Sequence, residues 1–206
     1  MSLAEPLSAG LNALGLDLRQ PQQSALLNYL ALLGKWNKTY NLTAIHEPER
    51  MLTHHLLDSL ALVPHVGDGS LLDVGSGAGL PGIPLAIARP DLRVTVMDAS
   101  QKKCGFMQQA AIELKLTNVS VVHARVEAYQ ATRKFDWIVS RAFSDLAEFV
   151  RLSAHLLAPG GLWLAMKGVI PDDEIAHITA ARVRDVLSLR VPDLVAERSL
   201  IIMEPV

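Results

Sequence analysis

A chain of 206 residues, half of them apolar, is long enough for one well-buried domain with an added segment. Formal net charge is −2 and the basic residues are scattered, so charge does not announce a nucleic-acid partner. The single cysteine, Cys104, excludes an internal disulfide and a multi-cysteine metal site, and no apolar run reaches the roughly 18 residues of a membrane span. With no basic-then-apolar pattern at its N-terminus, the protein is expected to be soluble and cytoplasmic.

Residues 3–16 and 21–36 read as two helices, the second with Leu26, Leu30 and Leu33 on one face. Trp36-Asn-Lys-Thr-Tyr-Asn-Leu-Thr43 follows, polar but carrying two aromatics, and its asparagines and threonines are suited to capping or turning the backbone. Glu47-Pro48 opens a third helix expected to run to about Val63. It sets His55 and Ser59 on one face and His54 and Asp58 on the adjacent one. A His–Asp pair at this spacing is most simply a local hydrogen bond.

From Ser70 onward strand and helix alternate. Expected strands are Leu71–Val74, Arg93–Met97, Ser120–His123, Trp137–Ser140, Leu162–Met166, Val186–Val191 and Ser199–Met203. Expected helices are Pro81–Ala88, Gln101–Leu116, Leu146–Leu157 and Asp172–Val183. The alternation predicts an α/β, Rossmann-like fold: a seven-stranded, mostly parallel sheet covered on both faces. The last two strands have no helix between them, so the final one should be antiparallel. Residues 1–69 form a helical extension and 70–206 the core.

The stretch Asp73-Val-Gly-Ser-Gly-Ala-Gly-Leu-Pro-Gly-Ile-Pro84 is a strand end, a glycine turn and a helix start, the outline of a nucleotide-type site. A phosphate loop is excluded, because Ile83 stands where its lysine must be. Gly77-Ala-Gly-Leu-Pro-Gly82 matches G-x-G-x-x-G, so a nicotinamide dinucleotide is formally allowed. Asp73, two residues before Gly75, favours S-adenosylmethionine, since an acid there can face the amino group of a methionine moiety. Pro81 and Pro84 also leave fewer free amides for a pyrophosphate.

Ligands in such sheets bind at the carboxyl ends of the strands. That places Gly75 and Gly77 after strand one and Asp98 after strand two, where it can accept from both ribose hydroxyls. Val126 and Glu127 come after strand three, with Val126 suited to lie against an adenine. Arg141 follows strand four and Lys167 strand five. The plainer readings are a helix cap for Asp98 and surface salt bridges for Arg141 and Lys167.

Absent motifs narrow the reaction. Cytosine C5 chemistry needs a nucleophilic cysteine, and Cys104 follows Lys103 on the helix after strand two. Where exocyclic-amine enzymes carry Asn/Asp-Pro-Pro-aromatic, this chain reads Ser140-Arg-Ala-Phe143. No cluster of acids stands beyond strands four and five to hold a metal, so none is expected. A nucleophile already unprotonated at neutral pH, such as guanine N7, remains. It requires placement rather than a general base. A small-molecule methyltransferase, a nicotinamide-dependent oxidoreductase and an assembly factor without chemistry stay open.

The glycine stretch with Arg89-Pro90, preceded by Trp36-Asn-Lys38, Asn41-Leu-Thr43 and His55-Leu-Leu-Asp-Ser59, resembles the bacterial 16S rRNA guanine-N7 methyltransferase G family, formerly glucose-inhibited division protein B. Further matches are Arg125-Val-Glu127, Ser140-Arg-Ala-Phe143, Lys167-Gly168 and Glu197-Arg198, so the resemblance spans nearly the whole chain. It implies a class I S-adenosylmethionine-dependent methyltransferase behind a helical extension, acting on 16S rRNA or the small ribosomal subunit. The target would be N7 of a guanosine in the 530 loop (guanosine 527 in the usual rRNA numbering). By motif match, cofactor contacts fall on Gly75, Leu80, Val126, Glu127 and Arg141, to which the strand-end argument adds Gly77 and Asp98. His54, Asp58 and the Trp36–Thr43 segment are expected to roof the substrate pocket, while Arg141 and Lys167 guide phosphate or guanine O6. The sequence departs from the family pattern at Ala99 and at Cys104-Gly105.

Overall fold

A computed structural model describes residues 2–141, 143 and 145–206. Seven strands form one sheet in the order β3-β2-β1-β4-β5-β7-β6. They are β1 (Ser70–Val74), β2 (Arg93–Asp98), β3 (Val119–His123), β4 (Phe135–Ser140), β5 (Leu157–Lys167), β6 (Ala181–Ser188) and β7 (Ser199–Pro205). Neighbours from β3 through β5 pair in parallel, whereas β7 runs antiparallel to both β5 and β6. Six strands therefore share a direction and the last opposes them, as the missing crossover helix predicts.

Successive strand residues face opposite sides, and two apolar cores follow from that. Leu71, Val94, Val96, Val139 and Leu164 belong to one core, shared with α1 (Ala4–Ala13), α2 (Gln20–Tyr40), α5 (Gly82–Ala88) and α6 (Gln101–Glu113). Leu72, Val74, Met97, Ile138, Trp163 and Ile201 belong to the other, with α7 (Leu146–Ser153) packed on it. The two N-terminal helices thus lie on the same face as α5 and α6. Gln22 ties them there, its Nε2 donating to the carbonyls of Ile87 (3.1 Å) and Ala88 (2.9 Å) at the end of α5.

Four elements depart most from the sequence expectation. The helix expected over 172–183 stops as α8 (Asp172–Ala176), and β6 starts at Ala181 rather than Val186. Ala181 and Val183 pack on the core beneath α7, with a register shift between Val183 and Asp185, so edge pairing with β7 overrides a helical pattern that has no second face to bury. Helix α2 continues through Trp36 to Tyr40, and Asn41 ends it in the left-handed region at φ 49°. Asn37 still shapes the turn beyond, accepting from Thr43 N (2.9 Å) and donating to Ile45 O (3.2 Å). The third expected helix is broken into α3 (Pro48–Met51), a π-helical stretch Leu52–Leu57 and α4 (Asp58–Leu60). Such stretches recur at functional sites, and this one carries both His54 and His55.

Candidate functional site

The strand order reverses between β1 and β4, and two cavities open on either side of that point at the carboxyl ends of the strands. The first, about 370 Å³, sits over β1, β2 and β3. Its lining includes Gly75, Asp98, Ala99, Val126, Glu127 and Phe143. The second, about 400 Å³, sits over β4 and β5 and is lined by Ile45, His54, His55, Asp58, Arg141, Met166, Lys167, Gly168 and Arg198.

The glycine turn is built for close approach. Gly75 and Gly77 have φ of 70° and 61°, and a Cβ on Gly75 would meet nothing within 4 Å. Only glycine holds that backbone without strain, and the space beside it remains free. Asp73 secures the turn from below. It is fully buried, and its Oδ2 accepts from Ser76 Oγ and from Gly82 N (2.8 Å). Its Oδ1 is buried without a hydrogen-bond partner. Burial pushes its carboxyl up to about 6, against the hydrogen bonds that favour the ionised form. Asp73 is therefore a brace of the turn.

Asp98 links the turn to the second strand. Its Oδ2 accepts from Gly77 N (3.0 Å) and Lys103 Nζ (3.4 Å), and its Oδ1 from Ser100 N (2.8 Å). Ser100, not Asp98, precedes α6 as its cap residue. Oδ2 is thereby filled by two donors, whereas Oδ1, with one, keeps acceptor capacity. Of the residues expected at a cofactor, Gly75, Asp98, Val126 and Glu127 line the first cavity together. Gly77 reaches it through Asp98. Leu80 is buried beneath the turn, donating its N–H to Ser76 O (2.8 Å), and Arg141 lies in the second cavity.

The second cavity is organised by Asp58, which is only 1% exposed. Its Oδ2 accepts from Arg141 Nη1 (3.3 Å) and its Oδ1 from Arg198 Nε (2.8 Å). Arg141 Nη1 also donates to His54 O (3.1 Å). A single buried carboxylate thus holds two guanidinium groups that arrive from chain positions far apart. Lys167 Nζ donates to Phe143 O (3.0 Å) and to both oxygens of Glu174 (3.0 and 2.8 Å), while Glu174 Oε2 accepts from Leu146 N (2.9 Å). Lys167 is therefore an inward-held ion pair that also fixes the segment entering α7. His55 Nε2 pairs with Thr43 Oγ1 (2.9 Å) and its Nδ1 is buried without a partner. Burial and the Arg141 charge push His55 down to about 4, so the imidazole is neutral at pH 7.

The expected roof is corrected in part. His54 and Asp58 line the cavity, whereas Trp36–Thr43 is not in its lining; it reaches the wall through Thr43, on His55 and Ile45, and through Asn37 on Ile45. Ala142, within the Ser140–Phe143 match, lies outside the described residues. Arg198 was visible in sequence only as part of a matching pair, and nothing in spacing assigns it to Asp58, 140 positions earlier. Among the described residues no group of three or more His, Cys, Asp or Glu is placed to hold a metal ion, and no helix is long and apolar enough to cross a membrane.

Sheet order, glycine turn and the acid ending β2 together define a class I S-adenosylmethionine-dependent methyltransferase fold. In line with this, a crystal structure of a SAM-dependent methyltransferase from Geobacter sulfurreducens, in complex with S-adenosyl-L-homocysteine, superposes with TM-score 0.56. It is 16% identical, over 85% of this chain and 98% of that one. The profile of the rRNA small subunit methyltransferase G family matches residues 22–201, and the chain belongs to that family. A relative from Laribacter hongkongensis (strain HLHK9), named Ribosomal RNA small subunit methyltransferase G, is 58% identical over 202 residues, 98% of each chain. Another of the same name from Methylobacillus flagellatus is 54% identical over 201 residues, again 98% of each chain.

Proposed function

We propose that this methyltransferase transfers a methyl group from S-adenosylmethionine to guanine N7 in the 530 loop of 16S rRNA, at guanosine 527, in the cytoplasm. The observation that carries this reading is the pairing of two cavities across the reversal of strand order. One is lined by a glycine turn and a carboxylate, the other by three cations. Residues 70–206 are taken as the catalytic core and 1–69 as a helical extension packed on it.

The donor fits the first cavity by its chemistry. The open space at Gly75 admits a ligand close to the backbone, Asp98 offers its Oδ1 as an acceptor to a ribose hydroxyl, and Val126 gives an adenine an apolar surface. When bound, S-adenosylmethionine supplies an electrophilic methyl on a sulfonium centre. Guanine N7 carries a free lone pair at neutral pH, so no residue here need remove a proton before attack. Orientation and water exclusion then supply most of the rate.

Arg141, Arg198 and Lys167 give the second cavity the positive character that a phosphate or a guanine O6 requires. An arginine on O6 must leave N7 free, which limits it to one hydrogen bond in place of the common bidentate pair. Asp58 keeps both guanidinium groups aimed, and His54 and the neutral His55 complete the wall. Glu174 now occupies Lys167, so Lys167 meets an RNA phosphate by exchanging one anion for another.

The test is methyl transfer from labelled S-adenosylmethionine to unmethylated 16S rRNA, offered free and as small subunits, followed by digestion. Label in 7-methylguanosine is the expected result. Donor binding without transfer to either RNA form would redirect the reading to a small-molecule substrate.

A further inference from the structure

Tyr29 lies in α2, in the N-terminal extension, 49 positions before the residue it touches. It is fully buried, and its hydroxyl donates to the carbonyl of Ala78 (2.5 Å), inside the glycine turn. The ring packs against Phe106 of α6, with centroids 6.1 Å apart, and Phe106 meets Trp36 at 5.7 Å. Tyr29 is therefore held from the side of the helix that follows Asp98, while its oxygen holds the turn that carries Gly75 and Gly77. Burial pushes the phenol well above its ordinary range, so it remains a donor at every pH the protein meets.

A turn made of left-handed glycines has many alternatives open to it, and the direction of its amides decides what they can bind. Within this turn, Ser76 O accepts from Gly79 N and Leu80 N (2.8 Å each), and Gly77 N is tied to Asp98. Ala78 O receives its hydrogen bond from outside, from Tyr29. Building on the functional reading above, we propose that Tyr29 is a positioning residue for the methyl donor, holding the glycine turn in its binding geometry through the Ala78 carbonyl. The N-terminal extension then completes the cofactor site as well as covering the sheet.

Tyr29→Phe keeps the ring packing and removes only the donor. Gln22→Ala serves as the comparison: it cuts two hydrogen bonds from the same helix to the far end of α5, and the cap bond from Arg19 N, all away from the turn. Calorimetric titration with S-adenosylhomocysteine reads the site without RNA, and thermal melting reads the fold. Tyr29→Phe is expected to weaken binding about tenfold, the scale of one lost buried hydrogen bond, with the KM for RNA unchanged. Gln22→Ala is expected to lower the melting temperature and leave that affinity as it was. Wild-type affinity in Tyr29→Phe would overturn the proposal, as would losses of affinity that track melting temperature equally in both variants. A wild-type protein that binds no S-adenosylhomocysteine would overturn the functional reading itself, and this one with it.

Discussion

Replacing Asp58 by asparagine removes the charge between two arginines while keeping the shape of the side chain. The carboxylate is nearly inaccessible, with Arg198 Nε at 2.8 Å and Arg141 Nη1 at 3.3 Å. With charge centres about 4 Å apart and an effective dielectric of about 20, each pair is worth about 4 kcal/mol before solvation. The arginine side chains are 25% and 23% exposed, so water recovers part of that loss. Removing the carboxylate also returns its own desolvation penalty. The balance is a destabilisation of about 3 kcal/mol, at the lower end of what breaking a buried pair costs. For a chain of this size that lowers the melting temperature by roughly 6–12 °C. Calorimetry at pH 7 checks the stability, and methyl transfer to small subunits checks the site. With Arg141 and Arg198 no longer held, transfer should fall about tenfold or more, the scale of lost positioning, while S-adenosylhomocysteine binding changes less. A variant that melts with wild-type protein and methylates at the wild-type rate would refute the view that Asp58 organises this cavity.

Asp98→Ala removes the acceptor of Gly77 N and Ser100 N, and S-adenosylhomocysteine affinity measured by titration should drop about tenfold to a hundredfold. Lys167→Ala should reduce methylation of the ribosomal substrate and leave donor affinity intact; unchanged methylation would remove Lys167 from the substrate side. His55 is neutral in the fold down to about 4, while in the unfolded chain it protonates below 6.5. Its contribution is therefore full above 6.5 and is lost as pH falls toward 4. Asp73 works in the opposite sense: its raised folded value, about 6 against 3.8, removes stability as pH rises between those points. His55→Gln should gain on wild type, in thermal melts, as pH drops from about 6.5 to 4.5. A gap that stays constant over that range would count against a buried neutral imidazole.

Much of the cofactor side was legible in the chain because its signals are local. A glycine turn demands its residues consecutively, and the strand rule converts position along the chain into position at the sheet's carboxyl edge, where Gly75, Asp98, Val126 and Glu127 line one cavity. The C-terminal region misled for an equally physical reason. Residues 177–183 carry no capping signal and a helix-compatible composition, yet an open edge on β7 offers hydrogen bonds that a lone helix could not match.

Sequence alone thus determined the class of fold, the direction of the last strand and the family, since alternation, missing crossovers and motif spacing are properties of neighbouring residues. Tertiary structure alone decided what Asp58, Asp73 and Tyr29 do. Asp58 finds its second arginine 140 positions away, Asp73 turns under the glycine turn, and Tyr29 crosses 49 positions to a backbone carbonyl. Buried charges and donors must find partners wherever folding brings them, and the chain records no such distance.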